Sequence, residues 1–346
     1  MDRARTLSAK HWRSRRPTRP STRASKLVDL AALPKAELHL HLEGAIRPAT
    51  VLDLARENDV DFPYRTLEEL ERALQFDDFL HFLQMFAHVN STLAKPADFE
   101  RITAELVEDL AAQNVVYAEI RYAPMHPMRR GMSFDDITAA VLRGAHGGVP
   151  ISVICGLTRQ WDCYEAAQHA TRWAGKGIAA IDIGGDEANF PAALFRDIYA
   201  LAKDAGLQLT AHAGEAAGPD SVWSAIHDLG ATRIGHGIRS IEDERLVAYE
   251  RDNAITLEVC PTSNVKTGVV PDFAAHPLRR LFDAGVPVTL SSDDPAMFGT
   301  NISREYEVAA AEFGFSEPEL LQLTRNSIQG SFSDAATKAR LLGALT

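Results

Sequence analysis

Eight short apolar runs, each followed by a stretch of helical periodicity, constrain this chain more than any other feature. The runs cover residues 36–41, 115–122, 151–157, 178–183, 207–212, 232–236, 254–259 and 286–291. Strands this short and this apolar, separated by helices, belong in a parallel sheet covered on its faces. Eight such units predict an α/β fold, a (β/α)8 TIM barrel with its helices outside. An open doubly wound sheet shares the alternation, but it should carry a glycine-rich phosphate loop after the first strand. Here that strand reads AELHLHLEG, marked by histidine instead.

The 346 residues exceed what the eight units require, and the surplus falls in two places. Residues 1–26 are rich in Arg, Ser, Thr and Pro and are expected to be a disordered tail, leaving 27–346 as a single barrel domain. An extension dispensable to the fold is the simplest account of the tail, although an Arg-rich targeting peptide or a nucleic-acid arm has the same composition. The second surplus is a helical insertion after the first strand, about residues 47–114. Within it Phe76, Phe79, Leu80, Phe82, Leu83 and Phe86 form an apolar surface. Its spacing fits ordinary helix core and, at this end of a barrel, a lid over a pocket.

Charge narrows the partners. The first 29 residues hold nine Lys or Arg and two Asp, so the net charge of -11 hides a tail segment at +7 and a body at -18. So acidic a body repels a nucleic-acid backbone, which points to a small molecule as substrate and not to nucleic acid. No apolar run is long enough for a membrane helix and no signal-peptide core precedes the barrel, so a cytoplasmic protein with no membrane partner is expected. Cys155, Cys163 and Cys260, odd in number and without C-x-x-C spacing, suit a reducing compartment. No feature of the sequence sets the oligomeric state.

The chemistry collects at strand ends. His39 and His41 lie two apart on the first strand and so share a face, which inside a barrel makes them converge. His212 ends the fifth strand with Glu215 three residues later, His236 ends the sixth, and Asp293 and Asp294 follow the eighth. Any one of these fits a cap or a solvated loop. Together, at the barrel face where catalytic groups gather, they are too costly to bury without a role. Three imidazoles and one carboxylate, His39, His41, His212 and one of the two aspartates, can hold a divalent metal and leave a position open for water. The remaining histidine and carboxylates are free to move protons or orient a substrate, which describes metal-assisted hydrolysis.

The segments PKAELHLHLEGAIRP, IDIGGDE, AHAGE, GHGI and SSDDP, spread over residues 33–298, stand in the order of the adenosine deaminase family of amidohydrolase barrels, and the chain resembles that family. The resemblance implies one Zn²⁺ per chain bound by His39, His41, His212 and Asp293. It implies that Glu215 protonates purine N1, that His236 orients or deprotonates the attacking water, that Asp294 hydrogen-bonds N7, and that the Gly185 backbone contacts N3. The implied reaction is hydrolytic deamination of a 6-aminopurine nucleoside, adenosine or deoxyadenosine, in cytoplasmic purine salvage. Other templates fit less well. Nucleobase deaminases of another fold need P-C-x-x-C after H-x-E, and no C-x-x-C exists here. Binuclear relatives need a bridging lysine where this chain has IDIGGDE. A non-catalytic relative should have lost a ligand or Glu215, and none is lost.

One departure bears on the substrate. The family's usual aspartate on the ribose side is Glu43 here, a substrate-binding candidate whose longer carboxylate shifts the pocket toward free adenine or a modified nucleoside. SSDDPAMFGT also resembles the branch holding adenine deaminases and aminodeoxyfutalosine deaminases, the two alternative activities.

Overall fold

The apolar runs pair in parallel, each with the next. A computed structural model of the protein describes residues 29–76 and 79–345. Strands β1 (Lys35–His41), β2 (Val115–Tyr122), β3 (Ile151–Thr158), β4 (Ile178–Gly184), β5 (Gln208–Ala213), β6 (Arg233–His236), β7 (Thr256–Val259) and β8 (Val288–Leu290) follow one another in chain order around one sheet. The circle closes through Asp293, whose N–H donates to the His39 carbonyl at 3.1 Å and whose carbonyl accepts from the His41 N–H at 2.8 Å. A candidate metal ligand thus makes the last seam of a (β/α)8 barrel. The run expected at 254–259 starts late because Ala254 turns the chain with φ of 53°. The run expected at 286–291 contributes only three residues to the ladder.

Alternation sorts each strand into an outer apolar row and an inner polar one. Leu38 and Leu40 of β1 are buried, and so are Glu37 and His39, which alternate with them. Across the barrel the inner row continues with Glu119 and Arg121 of β2, Asp182 of β4, Arg233 of β6 and Glu258 of β7, all buried. Buried charges are tolerable only in pairs. Arg121 bonds Asp182 at 2.6 Å and also Glu258. Arg233 bonds both Glu119 and Glu258. The chain that follows the helix Glu317–Gly330 closes the floor, with the Gly330 carbonyl accepting from Arg233 at 2.9 Å and the Phe332 N–H donating to Glu119 at 2.5 Å.

Among the described residues, a 3-10 turn (Glu43–Ala45) and four α-helices lie between β1 and β2: α1 (Pro48–Glu57), α2 (Leu67–Ala73), α3 (Phe79–Ser91) and α4 (Pro96–Ala112). Proline starts α1 and α4, where a missing N–H costs nothing, and Thr66 with Glu69 caps α2 reciprocally. Helix α4 is the regular crossover, packed on the next barrel helix (Phe134–Gly144) so closely that a Cβ at Gly144 would lie 2.4 Å from the Glu100 carbonyl. The first three helices are the addition. The expected tail, residues 1–26, lies outside the described residues. Among those described, no helix is long and apolar enough to cross a membrane.

Candidate active site

Strand ends aim four nitrogen and oxygen acceptors at one point. His39 Nδ1 lies 2.7 Å from Glu258 Oε2, and His212 Nδ1 lies 2.9 Å from Asp182 Oδ2. Glu258 accepts a hydrogen bond from the His39 Nδ1–H, which leaves the His39 Nε2 lone pair facing inward, and the Asp182 carboxylate beside His212 Nδ1 favours the same tautomer there. His41 Nε2 is 3.3 Å from His212 Nε2 and 3.4 Å from Asp293 Oδ1, and His39 Nε2 is 3.2 Å from the same oxygen. Asp293 Oδ2 is occupied by the Ser263 hydroxyl at 2.7 Å, so Oδ1 is the free acceptor. Burial pushes His41 well below the usual imidazole range, keeping it in the neutral form that binds metal.

Acceptors facing acceptors repel unless a cation sits among them, and His39 Nε2 has no hydrogen-bond partner. A tetrahedral ion with ligand bonds of about 2.0–2.1 Å has ligand-to-ligand edges of about 3.3–3.4 Å. Three of the six edges, His41–His212, His41–Asp293 and His39–Asp293, match that cage, and His41 also groups with Asp293 and Asp294. His236 also approaches, grouped with His39, His212 and Asp293, but its Nε2 stands farther out, 3.8 Å from Asp293 Oδ2 and 3.7 Å from Glu215 Oε2. The chain turns sharply to present these groups. His236 and Asp293 have φ of 58° and 64°, left-handed values that cost a non-glycine residue about 1–3 kcal/mol each and gather at functional sites.

A cavity of about 410 Å³ opens over the cluster, lined on one side by His41, His212, Glu215, Gly185, Asp293 and Asp294. Phe82, Leu83 and Phe86 of α3, with Trp161 and Phe298, add apolar lining to the same cavity. Phe82 stacks on Phe298 with ring centroids 5.0 Å apart, so this stretch of the insertion is both packed and cavity-lining. Burial, with the negative charge of Asp293 adding to it, raises Glu215 to about 7. Burial and the same neighbour hold Asp294 well above the carboxylate range. Gly44 makes room for Asp294, since a Cβ there would fall 1.7 Å from Asp294 Oδ1.

The structure therefore brings His39, His41, His212, His236, Glu215, Asp293, Asp294 and Gly185 around one space, with His39 and His236 just beneath the cavity surface. Glu43 is placed differently. It is fully buried, its Oε1 accepts the Ala123 N–H at 2.8 Å, its Oε2 has no partner, and it is not among the residues lining the cavity. Burial raises its carboxyl to about 7.

Supporting residues escape a reading of strand ends. Glu187 accepts backbone N–H groups from Gly214, Glu215, Ala216 and Ala217 at 2.6–3.2 Å and so shapes the loop carrying Glu215. Burial opposes ionisation of Glu258, yet Arg121 and Arg233 hold its carboxyl at about 2, ready to orient His39. A signal existed in each case: Asp182 and Glu187 sit inside IDIGGDE, and Glu258 is the one charge in the otherwise apolar run ITLEV.

The sequence matches the family described as adenosine deaminase over residues 34–346. It is 38% identical to an adenosine deaminase of Shewanella loihica, over 89% of this chain and 97% of that one. It is also 38% identical to an adenine deaminase of Rhizobium leguminosarum (90% and 99% covered) and to an aminodeoxyfutalosine deaminase of Streptomyces avermitilis (90% and 90% covered). Among solved structures, adenine deaminase from Arthrobacter aurescens superposes with a TM-score of 0.86 at 33% identity, covering 91% of this chain and 98% of that one. A Burkholderia ambifaria amidohydrolase with bound Zn superposes with a TM-score of 0.84 at 29% identity, covering 94% of each.

Proposed function

The chain belongs to the adenosine deaminase family, hydrolases that act on a C–N bond of a cyclic amidine, and on that premise we propose that it deaminates a 6-aminopurine nucleoside, adenosine or deoxyadenosine, to the 6-oxo nucleoside and ammonia. The observation that carries the reading is the cage of converging lone pairs from His39, His41, His212 and Asp293 beneath a cavity that also holds two carboxyls of raised pKa. One Zn²⁺ per chain in that cage would bring the pKa of a water close to neutral and so supply the nucleophile at C6.

The chain's own residues do the rest. Glu215, half protonated near pH 7, gives its proton to N1, which withdraws electrons from C6. Asp294, protonated, donates to N7, an acceptor. The Gly185 backbone, at φ of 100°, faces N3. His236 acts on the oxygen that adds to C6. The wall of Phe82, Phe86, Trp161 and Phe298 gives the cavity apolar surface for the flat purine and excludes water from it. The catalytic unit in this reading is residues 27–346, preceded by the basic tail 1–26. All three cysteines are buried and free, which suits a cytoplasmic setting.

A second reading rests on Glu43. Tied to the Ala123 N–H and away from the cavity surface, it is poorly placed to bind a ribose hydroxyl, which favours adenine or a nucleoside altered on the sugar side, as in aminodeoxyfutalosine. Specificity constants for adenosine, deoxyadenosine, adenine and aminodeoxyfutalosine, measured side by side by ammonia release, decide between them. The nucleoside reading expects adenosine or deoxyadenosine to give the largest value. A larger value for adenine or aminodeoxyfutalosine would overturn it.

A further inference from the structure

Behind His236, on the side away from the cavity, runs a chain of three hydrogen bonds with one backbone amide at its far end. The Leu278 N–H donates to His276 Nδ1 at 3.1 Å, His276 Nε2 lies 3.1 Å from Asn264 Oδ1, and Asn264 Nδ2 lies 3.1 Å from His236 Nδ1. All three side chains are buried, so water does not substitute for any link. From this chain we propose that Asn264 and His276 are positioning residues that hold His236 in its Nε2–H form, so that His236 presents a hydrogen-bond donor, not a base, to the oxygen that adds to C6.

The direction of every bond follows from the first. A backbone amide can only donate, so Nδ1 of His276 carries a lone pair. Burial pushes His276 down to about 3, so the ring keeps a single proton, and that proton is on Nε2. The atom of Asn264 facing it must then be the carbonyl oxygen. This turns the Asn264 NH₂, a group that only donates, toward His236 Nδ1. Nδ1 of His236 is therefore an acceptor, and its proton is on Nε2. An imidazolium would set N–H against N–H at that link.

The other face of the ring agrees. Asp293 Oδ2 lies 3.8 Å from His236 Nε2, a carboxylate oxygen that suits a donor and would repel a lone pair, with Glu215 Oε2 at 3.7 Å beside it. The Asn264 backbone is itself held firmly, its main-chain carbonyl accepting the Val270 N–H at 2.9 Å and its main-chain N–H donating to the Cys260 carbonyl at 3.0 Å. A side-chain flip that reversed the chain would leave the Leu278 amide with no role in it.

The inference rests on the deaminase reading only for what the donor does, and its first test needs no substrate. Nitrogen NMR of the full zinc-loaded chain, labelled at its histidines and assigned against His236→Ala, is expected to show unprotonated Nδ1 and protonated Nε2 in both His236 and His276. A protonated Nδ1 at His236 overturns the proposal whether or not the protein deaminates adenosine. The second test is Asn264→Asp, nearly isosteric, whose carboxylate accepts from both rings and draws the His236 proton to Nδ1. The expected result is a kcat lower by about 100-fold, the size of a lost transition-state donor, with KM and zinc content within about twofold. A kcat within threefold of the unaltered protein, with Nδ1 protonated, overturns the donor role. If Asn264→Asp does not fold, the spectrum of the unaltered protein decides alone.

Discussion

Gly44→Ala tests whether the protonated Asp294 must sit where the structure has it. Gly44 follows the histidine pair by three residues, in a short 3-10 turn whose backbone an alanine can adopt, so strain in φ is not the issue. Space is. The added Cβ would lie 1.7 Å from Asp294 Oδ1 and 2.4 Å from its Cβ and Cγ, where ordinary contact begins near 3.4 Å. The carboxyl must retreat by more than an ångström, and because the Asp294 Cβ itself lies only 2.4 Å from the added carbon, rotating the tip alone does not relieve the contact. A displacement of that size at a substrate-orienting group costs about 10²-fold in rate. Zinc should stay, because Asp294 is not among the proposed ligands. The assay is ammonia release at saturating adenosine, with metal content on the same samples, for Gly44→Ala, Asp294→Ala and the double variant. Both single variants are expected to lose about 10²-fold in kcat, and the double variant no more than either, since both remove one interaction. A Gly44→Ala enzyme within threefold of the unaltered kcat, or fully additive losses, would refute the reasoning.

Three further expectations concern the proton donor, the metal and stability. Glu215→Gln should keep its zinc and lose about 10²–10⁴-fold in kcat, the range of a positioned acid, and retention of most turnover removes Glu215 from that role. Asp293→Ala should fail to retain zinc through dialysis, read by elemental analysis, because the Ser263-oriented Oδ1 is the one carboxylate oxygen in the cage; full zinc content contradicts the ligand set. Glu250, buried far from the site with Oε2 unpartnered, has its carboxyl raised by burial to about 8. A native pKa above the unfolded one means the folded state holds the extra proton, so this contribution is complete below about pH 4.5 and is lost toward pH 8, at about 1.4 kcal/mol per pH unit. Glu250→Gln should therefore match the unaltered protein in denaturant unfolding near pH 4.5 and exceed it by several kcal/mol at pH 8; parallel pH profiles would contradict the assignment.

The tertiary structure also separates groups that look equivalent in one dimension. His39 and His236 both end in a polar cluster, yet Glu258 accepts from Nδ1–H of the first and Asn264 donates to Nδ1 of the second. One ring thereby offers a lone pair inward and the other a proton. Asp293 and Asp294 are neighbours in sequence, but the first closes the barrel seam while the second fills the space left by Gly44. Glu43 was legible as a carboxylate near the histidine pair, and only packing removed it from the cavity surface.

The sequence by itself determined the eightfold alternation, and with it the barrel, because short apolar runs between helices have few ways to bury themselves. It also determined which residues end those strands, since period-two alternation sets the face each side chain shares. What only the tertiary structure decided is the state of those residues. Tautomer, protonation and distance are set by partners far away in the chain, such as Glu258 for His39 and His276, through Asn264, for His236, and no local pattern records which buried donor meets which acceptor.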